Sequence, residues 1–235
     1  MLSVACILFP EVLIAKQSKG NETILALNHY TALQPAYTSG SLGMRVAVGY
    51  EKFAWDSSPK VNRQVYIDPE TDNGQTEFLT VLVNKGTRWP IDFSAQASQA
   101  LGTDITKVGA HLQWSLFQGF KLPTIALRAS GNRTWGLRST EISGTSASAV
   151  IDYSLFSYFT AFYNLGWQSH QMKINYDSKP SFQLDSDSPE DTQLTYRSET
   201  FGLLVRAWPG VGDLRIAKQQ FLNKSRYVLS ASFGI

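Results

Sequence analysis

Residues 225–235 close the sequence on a strict two-residue alternation. Tyr227, Leu229, Ala231, Phe233 and Ile235 share one face, and Val228, Ser230, Ser232 and Gly234 share the other. This follows because side chains alternate across a β-strand. The apolar face runs to the last residue. In water, such a strand is an open pairing edge. In lipid, a last strand paired with the first leaves no edge and satisfies every backbone group. The pattern therefore predicts an antiparallel barrel closed within a membrane.

Composition narrows the alternatives. Charged residues are 17% of the 235 and aromatic residues 12%, against a usual charged share of about a quarter. Mean hydropathy is slightly negative, and no apolar run approaches the ~20 residues of a membrane helix. A transmembrane barrel needs apolar residues only at every second position. A secreted β-sandwich is the rival. The net charge of +2 comes without a basic block, which argues against nucleic acid as a partner. Cys6 is the sole cysteine, so there is neither a disulfide framework nor a zinc spacing. No cofactor or metal is expected. The acidic stretch 185–191 matches no calcium loop and reads as solvated.

From residue 41 onward, short alternating runs are separated by turn signals. Leu42, Met44, Val46, Val48 and Tyr50 oppose Gly43, Arg45, Ala47, Gly49 and Glu51. Val108, Ala110, Leu112, Trp114 and Leu116 oppose Gly109, His111, Gln113 and Ser115. The same alternation sets Ile125, Leu127 and Ala129 against Ala126, Arg128 and Ser130. It also sets Ala147, Ala149, Ile151 and Tyr153 against Ser148, Val150 and Asp152. Runs at 158–168 and 200–208 follow suit, the latter with Arg206 on its polar side. Residues 77–85 are apolar on both faces and have no assignable register. Residues 91–100 alternate weakly, with Phe93 outward, and 213–221 supply a further strand. The second face is small and polar throughout. That suits a narrow lumen better than the water-exposed face of a sandwich, and argues against a second apolar core.

The fold expected is all-β: a transmembrane antiparallel up-and-down β-barrel of about ten strands over 41–235, with eight or twelve as alternatives. Long connections (54–76, 169–195) and moderate ones (101–106, 136–141) alternate with tight ones, and outer-membrane barrels put their short turns on the periplasmic side. Aromatics near strand ends form the expected interfacial girdle: Tyr50, Phe53, Trp55, Trp89, Trp114, Trp135, Tyr153, Tyr158, Trp167, Trp208 and Tyr227. Residues 1–15 look like the apolar part of a secretion signal, without a positive n-region. Residues 16–40 are a periplasmic segment or a lumen plug, and a short helix is expected near 21–35, ended by Pro35.

The terminal strand resembles that of bacterial outer-membrane β-barrels, which finish on an aromatic or apolar residue. The resemblance implies an outer-membrane location. It also implies outer-membrane lipid and lipopolysaccharide as surroundings, and recognition of the last strand by the barrel-assembly machinery. Gln34-Pro35-Ala36, just before the first strand, is similar to the Asn-Pro-Ala preceding the first strand of outer-membrane long-chain fatty-acid transporters, which have more strands than this chain supplies.

The expected lumen-lining residues are Arg45, Glu51, His111, Gln113, Arg128, Asp152 and Arg206. His170 is placed at the mouth of the long loop beside Ser169, and His29 in the N-terminal segment. No catalytic signature surrounds any histidine, so no catalytic residue is assigned. Three functions compete: a channel or passive route for small or amphiphilic molecules, a structural or surface-interaction barrel, and a lipid-modifying barrel enzyme.

Overall fold

The computed structural model describes residues 28–29, 36–41, 43–54, 75–118, 122–137, 140–156, 158–174, 191–208, 212–222 and 224–234. Ten antiparallel strands follow one another in sequence: β1 (Met44–Ala54), β2 (Gln75–Gly86), β3 (Ile91–Ala100), β4 (Thr106–Phe117), β5 (Thr124–Leu137), β6 (Thr140–Phe156), β7 (Phe159–Ile174), β8 (Asp191–Trp208), β9 (Gly212–Phe221) and β10 (Lys224–Gly234). Each pairs with its sequence neighbours, and β1 pairs with β10 to close the barrel. In that closing seam Val48 sits opposite Ala231 and Tyr50 opposite Leu229. The terminal apolar face thus continues that of the first strand.

The outward faces carry the belt. Leu112, Ile151 and Leu229 are 39%, 43% and 54% exposed. Around the wall, Val48, Leu79, Val81, Leu127, Leu203 and Ile216 are exposed alongside them. So much uncovered apolar surface on a closed ring requires hydrocarbon around it. At one end of the barrel, the turn end, connections are short, and Trp89, Phe156 and Tyr158 stand exposed. At the other, the loop end, strands rise past the belt. Their outward positions become charged, pairing Lys52 with Glu77 at 3.5 Å, Arg133 with Glu141, and Arg197 with Glu199.

Several expectations change. Residues 77–85 are apolar on both faces because Leu79, Val81 and Val83 meet lipid while Phe78 and Leu82 fill the interior. Phe53 belongs to no girdle: it is fully buried, on the inward face. The connection expected at 136–141 shrinks to residues 138–139, since Leu137 and Ile142 bury inside the barrel and draw both strands upward. Gly136 permits this, with φ at +85° and a backbone so close that a Cβ would meet the Asp104 carbonyl. Similarly, β7 and β8 stay paired out to Lys173 and Asp191, which shortens the long loop expected at 169–195. The expected helix near 21–35 (of which Asn28 and His29 are described), the signal-like segment 1–15 and the loop 55–74 lie outside the described residues.

Candidate functional site: a two-tier lumen holding the N-terminal segment

The inward faces divide into two tiers. Nearest the loop end, Phe53, Phe78, Ile105, Leu137, Ile142, Met172, Leu194, Tyr196 and Phe221 form one apolar cluster. This corrects the expectation of a uniformly small, polar lumen. The cluster arises where inward positions of β1, β2, β5, β6, β7, β8 and β9 are all large and apolar at the same height. Alternation within single strands does not show that convergence.

Immediately below lie three ionic side chains with no solvent exposure. Glu51 accepts a hydrogen bond from Arg226 at 2.7 Å and pairs with Lys107 at 3.6 Å. The two cations also face rings of the tier above: Lys107 lies 5.0 Å from the Phe78 centroid and Arg226 5.1 Å from that of Phe53. Such contacts strengthen when desolvated.

Toward the turn end the lumen is ionic again. Asp213 pairs with Arg45 at 3.4 Å and with Arg206 at 3.9 Å. Arg128 donates to the side-chain oxygen of Gln113, and Arg215 lies 4.5 Å over the Phe162 ring. All seven residues singled out from sequence point inward: Glu51 in the upper ion cluster, Arg45, Arg206, Arg128, Gln113 and Asp152 in the lower, and His111 on β4 between them. Sequence reading missed Asp92, Lys107, Asp213, Arg215 and Arg226. The signal was present in their parity, since Asp213 and Arg215 alternate with Leu214, and Arg226 with Tyr227.

Residues 28–29 and 36–39 of the N-terminal segment lie in this lumen. Three aspartates, on β3, β6 and β9, receive donors from them. The Ser39 amide donates to Asp92 at 2.8 Å, the Ala36 amide to Asp152, and the Tyr37 hydroxyl to Asp213 at 3.2 Å. In return, the Ala36 carbonyl accepts from Gln113 and Ser115. Higher up, the Asn28 amide reaches His170 Nδ1 at 3.0 Å, and its side-chain oxygen accepts from Thr134 at 2.6 Å. His29 stacks on Phe221 with centroids 4.2 Å apart and planes 12° from parallel. Its Nδ1 shares a hydrogen bond with the Tyr196 hydroxyl at 3.0 Å, and its Nε2 one with Gln168 at 3.1 Å. Its carbonyl accepts from Lys107 at 3.2 Å.

His170 is therefore not at a loop mouth. It is buried on the inward face of β7, reaching Gln168 and the Tyr196 hydroxyl. Ser169 faces outward and binds Gln193 and Thr195. Consecutive strand residues point to opposite sides, so this sequence neighbour pair is no nucleophile–base pair. Among the described residues, no group of His, Cys, Asp and Glu is arranged to hold a metal.

Gly144 lets the segment anchor. A Cβ there would lie 2.2 Å from His170 Nδ1 and 2.7 Å from Asn132 Oδ1, the two groups that meet the Asn28 amide. Gly144→Ala is expected to cost about 1–3 kcal/mol through overpacking. Urea unfolding of the refolded barrel reads this, and an unchanged midpoint would show that the anchor is not held rigidly.

No protein-family model matches the chain, and no curated protein matches it. Solved structures do. The KdgM porin in complex with disordered oligogalacturonate aligns at 6% identity and TM-score 0.42, covering 80% of this chain and 98% of that one. The Yersinia pestis outer membrane protein Ail in a phospholipid nanodisc aligns at 10% and 0.35, covering 82% and 99% respectively. The N-terminal β-barrel domain of Pseudomonas aeruginosa OprF aligns at 9% and 0.35, covering 83% and 99%.

Proposed function

We propose that this chain is a bacterial outer-membrane barrel that passes small or amphiphilic molecules and is closed by its own N-terminal segment. One observation carries the reading: the described residues of the segment, Asn28, His29 and 36–39, are held mainly by hydrogen bonds to polar wall groups. Apart from Ala36 against Ala126 and Val150, and the His29 stack, the described contacts are polar. Water or a solute can take over such bonds at a net cost of about 0.5–1.5 kcal/mol each, whereas a permanent filler would be fastened by apolar packing. Behind the segment the wall offers an ionic tier at the turn end and an apolar tier at the loop end, a pairing that suits amphiphiles. The charged collar at the loop end suits lipopolysaccharide headgroups, and the β10 edge suits recognition during barrel assembly.

The test is conductance in planar bilayers. The intact chain is expected to be silent and a chain lacking residues 1–40 to give discrete channel steps. Silence from both would favour the second reading, a structural or surface-interaction barrel. That reading draws on the apolar cluster filling the loop-end lumen.

A further inference from the structure

Inside a closed barrel an occupying chain finds no strand edge to pair with, because all ten wall strands pair with one another. Its own amides and carbonyls must meet side chains, or stay buried without partners at a cost. The wall supplies those side chains at fixed places. On β6, Asp152 accepts from the Ala36 amide. On β4, Gln113 (3.1 Å) and Ser115 donate to the carbonyl of the same residue. On β3, Asp92 accepts from the Ser39 amide at 2.8 Å. Nearer the loop end, Asn132 and Lys107 donate to the carbonyls of Asn28 and His29. Contacts of this kind read a main chain and are blind to its sequence.

Two side-chain positions add selectivity. Ala36 is fully buried against Ala126 and Val150, which face each other on β5 and β6, so this cradle takes only a small side chain. The ring of the next residue, Tyr37, has the Arg45 guanidinium 5.0 Å and the Arg206 guanidinium 5.7 Å from its centroid. Its hydroxyl accepts from Arg45 at 3.0 Å and donates to Asp213 at 3.2 Å. A small residue followed by an aromatic one thus meets a tight apolar floor and then two cations placed to face a ring.

We propose that the turn-end lumen is a binding site for extended oligopeptides, recognised through their main chain and through a small residue followed by an aromatic one, and that residues 36–39 are its occupant in the closed barrel. This rests on the proposed release of the N-terminal segment and names the solute class that the released lumen takes. A solute without amide groups forfeits the bonds to Asp92 and Asp152, and a buried acceptor that loses its donor weakens binding.

The experiment starts from the full chain with a protease site inserted after Ser41, which is exposed. The chain is refolded and its closure verified by heat-modifiable gel mobility. Cleavage then frees the segment without asking a shortened chain to fold. The probe is a dye-labelled peptide of residues 28–39, followed by fluorescence anisotropy as it displaces the cleaved segment. It is expected to bind the cleaved barrel at least about ten-fold more tightly than the uncleaved one, where the tethered segment competes. N-methylation of the Ala36 amide is expected to weaken the probe at least about ten-fold, through loss of a hydrogen bond to a charged group. Ala36→Leu in the probe is expected to do the same by overfilling the cradle. A probe that keeps only the Ala-Tyr pair is expected to bind more tightly than its Tyr-Ala counterpart of equal composition. Equal affinity of native and N-methylated probes would overturn main-chain recognition, and equal affinity of the two pair orders would overturn the side-chain selectivity. A cleaved segment that excess probe never displaces would overturn the whole proposal, because a solute site must exchange. Channel steps from a cleaved barrel that binds no probe would leave the gating standing and overturn the peptide class. Probe binding by a cleaved barrel that stays silent in bilayers would uphold the site and overturn only the passage.

Discussion

Glu51→Ala is expected to lower the stability of the barrel by about 3–5 kcal/mol, because it leaves buried cations without their carboxylate. Arg226 donates to Glu51 at 2.7 Å and Lys107 lies 3.6 Å from the same oxygen, all without solvent exposure. The rings of Phe53, Phe78 and Phe221 wall off the loop-end side of this cluster. Water therefore has no open route from the loop end by which to replace the lost oxygen atoms. Glu51→Gln keeps the shape and an acceptor for Arg226 but removes the charge, and is expected to fall between wild type and Glu51→Ala. The measurement is urea unfolding of barrels refolded into lipid vesicles, followed by tryptophan fluorescence. A Glu51→Ala loss below about 1 kcal/mol, the range of exposed pairs, would mean that the cluster is hydrated and the upper lumen open.

Leu112→Arg is expected to cost about 2–4 kcal/mol, the penalty for arginine on the lipid face at the bilayer midplane. Leu112 lies midway along the outward row of β4, which runs from Val108 to Leu116, and it pairs with Phe93 and Ala129 on the neighbouring strands. No wall residue shields it, so the surrounding solvent decides the cost. Thr106→Arg, on the same face near the loop end where the outward positions turn polar, is the control and is expected to cost about 0–1 kcal/mol. Refolding both variants into vesicles of one lipid and comparing their unfolding free energies reads the difference directly. Equal, small effects at both sites would place Leu112 in water and remove the membrane from the description.

The division between inside and outside was legible residue by residue. Leu229 and Val48 had to leave the lumen, and Ser230 and Glu51 had to enter it, because alternation is a property of one strand and lipid enforces it on every strand alike. Where both faces are apolar, as in residues 77–85, the rule gave no register. Only the pairing of Val81 with Val48 and Ala97 fixed which side meets lipid. The site was less legible than the wall. Arg45, Arg206 and Glu51 could be named as inward from their own strands. Asp213 faces Arg206 across one tight turn, but it lies far in sequence from Arg45, as Lys107 and Arg226 do from Glu51, and no local signal joins those partners. Ser169 and His170 show the opposite case: neighbours in sequence that the strand sends to opposite sides.

What the chain's own order of residues determined is the solvent each position faces, since a period of two and a lipid surround leave a barrel no other arrangement. Tertiary structure alone decided which inward groups meet. Closure of β1 onto β10 and the heights of ten registers bring Phe53, Tyr196 and Phe221 into one apolar tier and Glu51, Lys107 and Arg226 into one ion cluster. The same closure makes room for Asn28 and His29 among them. Contacts across a lumen depend on stagger summed around the whole ring, and that sum is written in no single strand.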